Sequence, residues 1–441
     1  MKPIPKPLTA GRIIILGFAA VILIGTILLT LPISSKERIF TPFLDALFTS
    51  TSATCVTGLI IYDTATYWSF FGQAVILVLI QIGGMGVVTL AVAISSIAGR
   101  KIGLMQRSTM QESIAAPHVG GMVRITRYIL KVIFVTEAIG AALMAPVFCK
   151  DFGIAKGIWY SVFHSITAFC NAGFDLMGAK EPFSSLTGYS SNIIINVVIM
   201  LLIILGGIGF LTWNDVQKNG IHFKRYKMQT KVVLVTSLLL ILLPTVFFFF
   251  AEFSGLPLKE RILASLFQSV TTRTAGYNTA DLTAMSESGI IIMSLLMVIG
   301  GSPGSTAGGL KTTTFAVLIL SAISVFRKKD SPEIFQRRID EGTVKKSAAI
   351  LMLFITLLLS GSIFISVYEG IPFTTSFFEV ASTIDTVGLT LGITPDLSTP
   401  SHIMLIIMMF AGRVGGLTLF FAAAPSRKNN AKLPLEEITV G

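Results

Sequence analysis

An all-α integral membrane fold is predicted, built from four tandem repeats of span, re-entrant pore helix and span around one pseudo-fourfold pore. Three observations predict it. The 441 residues are 53% hydrophobic and 13% charged, with a mean hydropathy of +0.79, more apolar surface than a water-soluble chain of this length needs. Residues 13–35, 64–99, 232–251, 288–310 and 347–368 carry no Asp, Glu, Lys or Arg, and a bilayer crossing takes about 20 apolar residues. Finally, one short segment recurs four times, each copy with a glycine as its last residue but one: Gly58 in Phe48–Leu59, Gly173 in Phe163–Phe174, Gly276 in Phe267–Tyr277 and Gly388 in Phe378–Leu389. The spacings of 115, 103 and 112 residues place one copy in each quarter of the chain.

The repeats are read as residues 1–99, 100–219, 220–329 and 330–424, followed by a tail over 425–441. Each opens on a span, over about 11–33, 124–149, 229–251 and 346–368. The first follows Lys2, Lys6 and Arg12 like a secretion signal. It is longer than a signal's apolar core and lacks a small-residue cleavage site, so it is expected to be retained. A shorter apolar piece follows, over 41–54, 157–170, 260–272 and 373–384, too short to cross and so expected to be re-entrant. A Ser/Thr/Gly strand continues from each, and irregular backbone at membrane depth must line protein or a water-filled cavity. The closing spans run over about 70–97, 191–214, 289–324 and 401–424. Eight ordinary spans with small-residue packing faces are the plainer alternative, but long and short pieces alternate four times in phase.

Charge sets the expected orientation. Of 34 Lys and Arg, 24 lie at the N-terminus and in 100–131, 218–231, 327–346 and 427–432. Basic segments stay cytoplasmic, so both termini are expected inside a multi-pass cell-membrane protein with eight crossings. These segments could meet anionic lipids or an acidic partner. Membrane topology accounts for the net charge of +11 without nucleic acid. Cys55, Cys149 and Cys170 are too few for a disulfide framework, and four scattered histidines form no metal cluster.

Four equivalent strands around an axis can replace the water shell of an alkali cation with backbone carbonyls, layer by layer. Glycine permits the backbone angles that aim a carbonyl inward. The expected layers comprise Val56, Thr57 and Gly58; Asn171, Ala172 and Gly173; Thr274, Ala275 and Gly276; and Thr386, Val387 and Gly388. The short helices would turn their C-terminal partial negative charge toward the cation.

The strings ATCVTGL, AFCNAGF, TTRTAGY and TIDTVGL resemble the four degenerate filter sequences of the Trk/Ktr/HKT potassium transporters, and the resemblance runs through nearly the whole chain in repeat order. With eight spans and no additional N-terminal hairpin, the chain resembles the KtrB-type membrane subunit. The resemblance implies potassium uptake, a homodimer with one pore per protomer, and a cytoplasmic KtrA-type ring that carries the nucleotide. No covalently bound cofactor is implied, and potassium is the ion transported. Some plant members with serine at the first filter position favour sodium; here that position is Gly58.

Three residues before the glycines stand Cys55, Cys170, Arg273 and Asp385. An unpaired charge there would be costly, so Arg273 and Asp385 are expected to pair behind the filter. Solvation of each in the outer vestibule is the alternative.

Repeat three's closing span is interrupted by Gly300, Gly301, Ser302, Pro303, Gly304, Ser305, Thr306, Ala307, Gly308 and Gly309, too rich in Gly and Pro for a helix. It is read as an intramembrane loop that partly blocks the pore, and the resemblance implies a gate. Arg413, at the equivalent place in repeat four, is expected to face the pore and contact loop carbonyls; a structural arginine on helix-end carbonyls is the alternative. Lys311 is expected to snorkel to the interface; a role like that of Arg413, on the loop carbonyls, is the alternative. The other glycine clusters, Gly83-Gly84-Met85-Gly86 and Gly206-Gly207-Ile208-Gly209, are read as tight packing behind the pore helices, with a bend in the span as the alternative.

Two rival functions are weaker. An ion-coupled secondary transporter for sodium or potassium should carry intramembrane carboxylates, and the main candidate, Glu137, is not repeated. A membrane-embedded enzyme should carry a His, Cys or carboxylate cluster.

Overall fold

The computed structural model describes residues 9–97, 103–113 and 121–415. The tail over 425–441, the end of the last predicted span and parts of the basic segments lie outside the described residues. Four opening helices are long and apolar enough to cross a membrane: α1 (Ala10–Thr30) and, in the later repeats, α6 (Met122–Phe152), α10 (Met228–Phe247, prolonged by a π-turn over Phe248–Glu252) and α14 (Glu341–Glu369). The pore helices are α2 (Phe43–Cys55), α7 (Ile154–Cys170), α11 (Leu258–Thr271) and α15 (Phe373–Ile384). Three follow a proline, Pro42, Pro257 or Pro372, whose ring fixes φ at the helix entrance.

A recurring joint fixes three of the four pore helices to the opening helix of their own repeat. Ser50 Oγ donates to Ile22 O at 2.7 Å, Ser165 Oγ to Glu137 O at 2.6 Å and Ser269 Oγ to Ile241 O at 2.6 Å. Repeat four replaces the serine with Val380, which packs beside Gly361. Away from water, a backbone oxygen with a dedicated donor makes a directional joint where apolar contact alone would slide.

The closing spans differ from expectation. Repeat one continues from α3 (Phe70–Met85) into α4 (Val87–Ile97); α5 (Leu104–Ser113) follows. Repeat two breaks between α8 (Ile193–Ile208) and α9 (Phe210–Asn219) with a 95° bend. Repeat three breaks between α12 (Glu287–Met297) and α13 (Thr312–Phe326), and repeat four's α16 (Thr399–Val414) stops at Gly415. Gly86, Gly209, Gly304 and Gly415 all adopt positive φ. The interruption expected in repeat three therefore recurs in repeats one and two, and α16 ends at the equivalent glycine of repeat four, a G-x-x-G spacing marking the place in all four. A two-stranded hairpin, β1 (Glu333–Ile334) and β2 (Arg337–Arg338), precedes α14. The all-α membrane architecture is thus as the sequence predicts.

Candidate ion-conducting site

The four glycine strands meet in a closed ring. A Cβ on Gly58 would lie 2.5 Å from Ala172 O, one on Gly173 2.9 Å from Ala275 O, one on Gly276 2.5 Å from Val387 O, and one on Gly388 2.1 Å from Thr57 O. Each glycine thus packs on the carbonyl that precedes the glycine of the next repeat, and the fourth returns to the first. All four adopt positive φ, between 66° and 99°, so no side chain fits sterically or conformationally.

Two residues upstream, Val56, Asn171, Thr274 and Thr386 also adopt left-handed φ, of 62°, 59°, 64° and 53°. In an ordinary strand carbonyls alternate between the two sides. Inverting every second residue turns successive carbonyls to one side, which a ladder of cation-binding oxygens requires. Three of these residues are β-branched, for which the left-handed region is a genuine outlier. The residue types gave no signal of this second left-handed position.

Hydroxyls hold the strands. Gly58 N donates to Ser52 Oγ at 3.1 Å and Gly388 N to Ser382 Oγ at 3.0 Å. In repeat two, Thr167 Oγ1 meets Tyr277 OH of repeat three, which donates to Phe174 O at 3.0 Å. Thr57, Thr274 and Thr386 are buried, and their hydroxyls have no protein partner. Hydroxyl and carbonyl oxygens of this kind are hard donors suited to an alkali cation.

The loop over 300–309 lies against the base of this ring. Thr306 Oγ1 donates to Phe169 O at 3.0 Å and contacts Asn171 Oδ1 at 3.1 Å, and a Cβ on Gly308 would lie 2.1 Å from Thr386 Oγ1. Its backbone is tied to the break in repeat two: Ser302 N donates to Gly207 O at 2.9 Å and Phe210 N to Gly304 O at 2.8 Å. On its other side Pro303, Gly304 and Ser305 line a cavity of about 340 Å³ with Lys311 and Arg413. The loop therefore separates the ring from that cavity. Arg413 reaches out of repeat four, Nη1 donating to Thr306 O of the loop and Nη2 to Gly83 O of repeat one.

Two expectations are corrected. Arg273 and Asp385 do not pair. Arg273 Nη2 donates to Ser237 Oγ of α10 at 3.0 Å, whereas Asp385 Oδ1 accepts Leu310 N at 2.8 Å. Side chains of adjacent repeats at one level radiate from the axis, so each turns to its own repeat's surroundings or to the loop. Lys311 does not snorkel: its Nζ donates to Ala307 O and Gly308 O at 2.9 and 3.0 Å, because the broken loop leaves those carbonyls without helical partners. Glu137 is buried and accepts from Gln81 Nε2 at 3.1 Å, joining α6 to α3.

The family model described as TrkH, cation transport protein, matches residues 9–432. The chain is 39% identical to the potassium/sodium uptake protein NtpJ of Enterococcus hirae, covering 100% of this chain and 99% of that one. It is 38% identical to the Ktr system potassium uptake protein B of Bacillus subtilis, covering 98% and 97%. The potassium transporter TrkH from Vibrio parahaemolyticus shares the fold, with a TM-score of 0.76 at 18% identity over 96% of this chain and 86% of that one. A protein whose four quarters each supply an opening helix, a pore helix and a closing helix around one ring, and which matches that model almost end to end, belongs to the TrkH family of cation transport proteins.

Proposed function

We propose that this protein takes up potassium through a channel-like pore, with the four glycine strands as selectivity filter and the 300–309 loop as gate. The closed cycle of glycine-on-carbonyl contacts carries the reading, since it places four backbones around one axis at one level. The names of the two relatives, one for potassium and one for potassium and sodium, support the cation class. Arg413 holds the loop by its carbonyl and sets a positive charge beside the path, which opposes cation passage while the loop is seated. The protein sits in the cell membrane with both termini cytoplasmic. It works as a homodimer under a cytoplasmic KtrA-type ring that binds the nucleotide.

The test is potassium flux into vesicles holding the purified chain, at imposed membrane potentials. A passive pore gives flux that follows the potassium electrochemical gradient without added sodium. A strict requirement for a sodium or proton gradient would replace the pore with coupled transport. Arg413→Gln is expected to raise flux without the regulatory partner about tenfold or more, as loss of a charged hydrogen bond worth about 1.5–3 kcal/mol releases the loop. Unchanged flux would remove Arg413 from the gate.

A further inference from the structure

The segment after α9 and the hairpin before α14 meet at the head of α10 and enclose a second cavity, of about 820 Å³, far from the ring glycines in sequence. Lys224, Arg225, Lys227, Lys231, Arg337 and Arg338 line it, with no acidic residue in the lining. Adjacent carboxylates are engaged elsewhere. Asp215 accepts the Lys227 amide at 2.8 Å and Asn219 Nδ2 at 3.0 Å. Glu333, across the hairpin from Arg338, pairs with Lys329 at 2.7 Å. Among the described residues, none of the six cations forms an ion pair.

The site is built, and more than a charged surface. The hairpin turn holds Phe335 and Gln336 at φ 50° and 60°, left-handed positions that a tight hairpin requires and that glycine or asparagine usually fills. Phe335 packs on Phe223 with centroids 6.0 Å apart. Lys231 Nζ lies 5.7 and 5.6 Å from the two ring centroids and donates to Lys224 O at 3.0 Å.

A concave site with this charge takes a compact, multiply hydrogen-bonding anion, and phosphate has that chemistry. Its position favours one source. The cavity lies at the first turn of a membrane span. Beside it, α13 packs on β1 and ends in Val325 and Phe326, 69% and 86% exposed. An apolar rim next to a basic hollow at the end of spans suits a lipid, with headgroup in the hollow and acyl chains along the rim. A flat acidic protein face would leave the hollow unfilled.

We propose that this cavity binds the phosphate headgroup of an anionic phospholipid from the cytoplasmic leaflet. The assignment rests on the orientation proposed above and is independent of ion flux. The bound lipid fastens the hairpin between repeats three and four to the head of α10.

The test is native mass spectrometry and thermal unfolding of the full chain in detergent, with short-chain phosphatidylglycerol or phosphatidylcholine. Phosphatidylglycerol is expected to stay bound and raise the unfolding temperature, and phosphatidylcholine to do neither. The triple variant Arg225→Gln/Arg337→Gln/Arg338→Gln should bind phosphatidylglycerol at least about tenfold more weakly. The triple replacement of the same three by Lys should retain it, as should Lys345→Gln/Lys346→Gln outside the cavity. Equal retention of both lipids, or equal binding by the Gln triple and the unaltered chain, would overturn the site. Equally tight binding of glycerol phosphate would overturn the lipid source, and displacement of the lipid by a polyglutamate peptide would transfer the surface to an acidic protein. Flux is not read, so these outcomes stand apart from the transport test.

Discussion

Val56, Thr274 and Thr386 keep left-handed backbone that a β-branched residue avoids, at a cost of about 1–2 kcal/mol each. Such strain persists where the surroundings over-determine it, and here the hydroxyls of Ser52 and Ser382 do part of that work. Ser52→Ala and Ser382→Ala each leave a buried glycine amide unpaired, which should destabilise the protein by about 1–3 kcal/mol. The looser strands should also lose potassium-over-sodium discrimination, as competition flux would measure. A single serine variant with unchanged unfolding temperature and selectivity would show the strand held by other contacts. The glycines at this level were legible because φ and close approach both demand them. The left-handed residues two positions earlier were not, since strain imposed by neighbours leaves no trace in residue type.

The elements obey a rule that their lengths revealed only in part. Opening spans and pore helices were legible from apolar length. The breaks in repeats one and two and the end of α16 at Gly415 were not, because glycine within an apolar helix reads equally well as a packing contact. The structure gives these glycines both roles. A Cβ on Gly83, Gly206 or Gly412 would lie 2.0, 1.9 or 1.7 Å from Thr54 O, Phe169 O or Ile384 O, the last turn of each repeat's own pore helix. Three residues on, Gly86, Gly209 and Gly415 turn the chain at positive φ. Gly206→Ala should therefore cost at least about 1–3 kcal/mol, since the obstacle is backbone and cannot rotate away. Gly188→Ala, with open space around it, should cost little. Thermal unfolding of the two variants checks the contrast, and equal midpoints would mean that the closing spans are not seated on the pore helices as described.

For the molecule as a whole, the repeats agree where backbone sets the geometry and differ where side chains act. Phe267 stands nine residues before Gly276, whereas the corresponding phenylalanines stand ten before their glycines. The shorter strand closes with Ala275 N on Thr271 O, four residues back, where Thr57, Ala172 and Val387 reach five back. Repeat three thus departs from symmetry in its glycine strand as well as its loop. Arg273 and Asp385 belong to separate surroundings, so Arg273→Gln and Asp385→Asn should add within about 0.3–0.5 kcal/mol in a double-mutant cycle. A larger coupling would reinstate the pairing that sequence position alone favoured.

The ring also has an order of assembly written into it. Gly58 rests on repeat two, Gly173 on three, Gly276 on four, and Gly388 returns to Thr57. Three of the four seats form between consecutive parts of the chain, while the last joins its two most distant quarters. During synthesis, with the N-terminal part emerging first, the oxygens of repeats one to three can be placed but not enclosed. In the proposed pore the ring is complete only when the final repeat arrives, so a partially made chain encloses no such path.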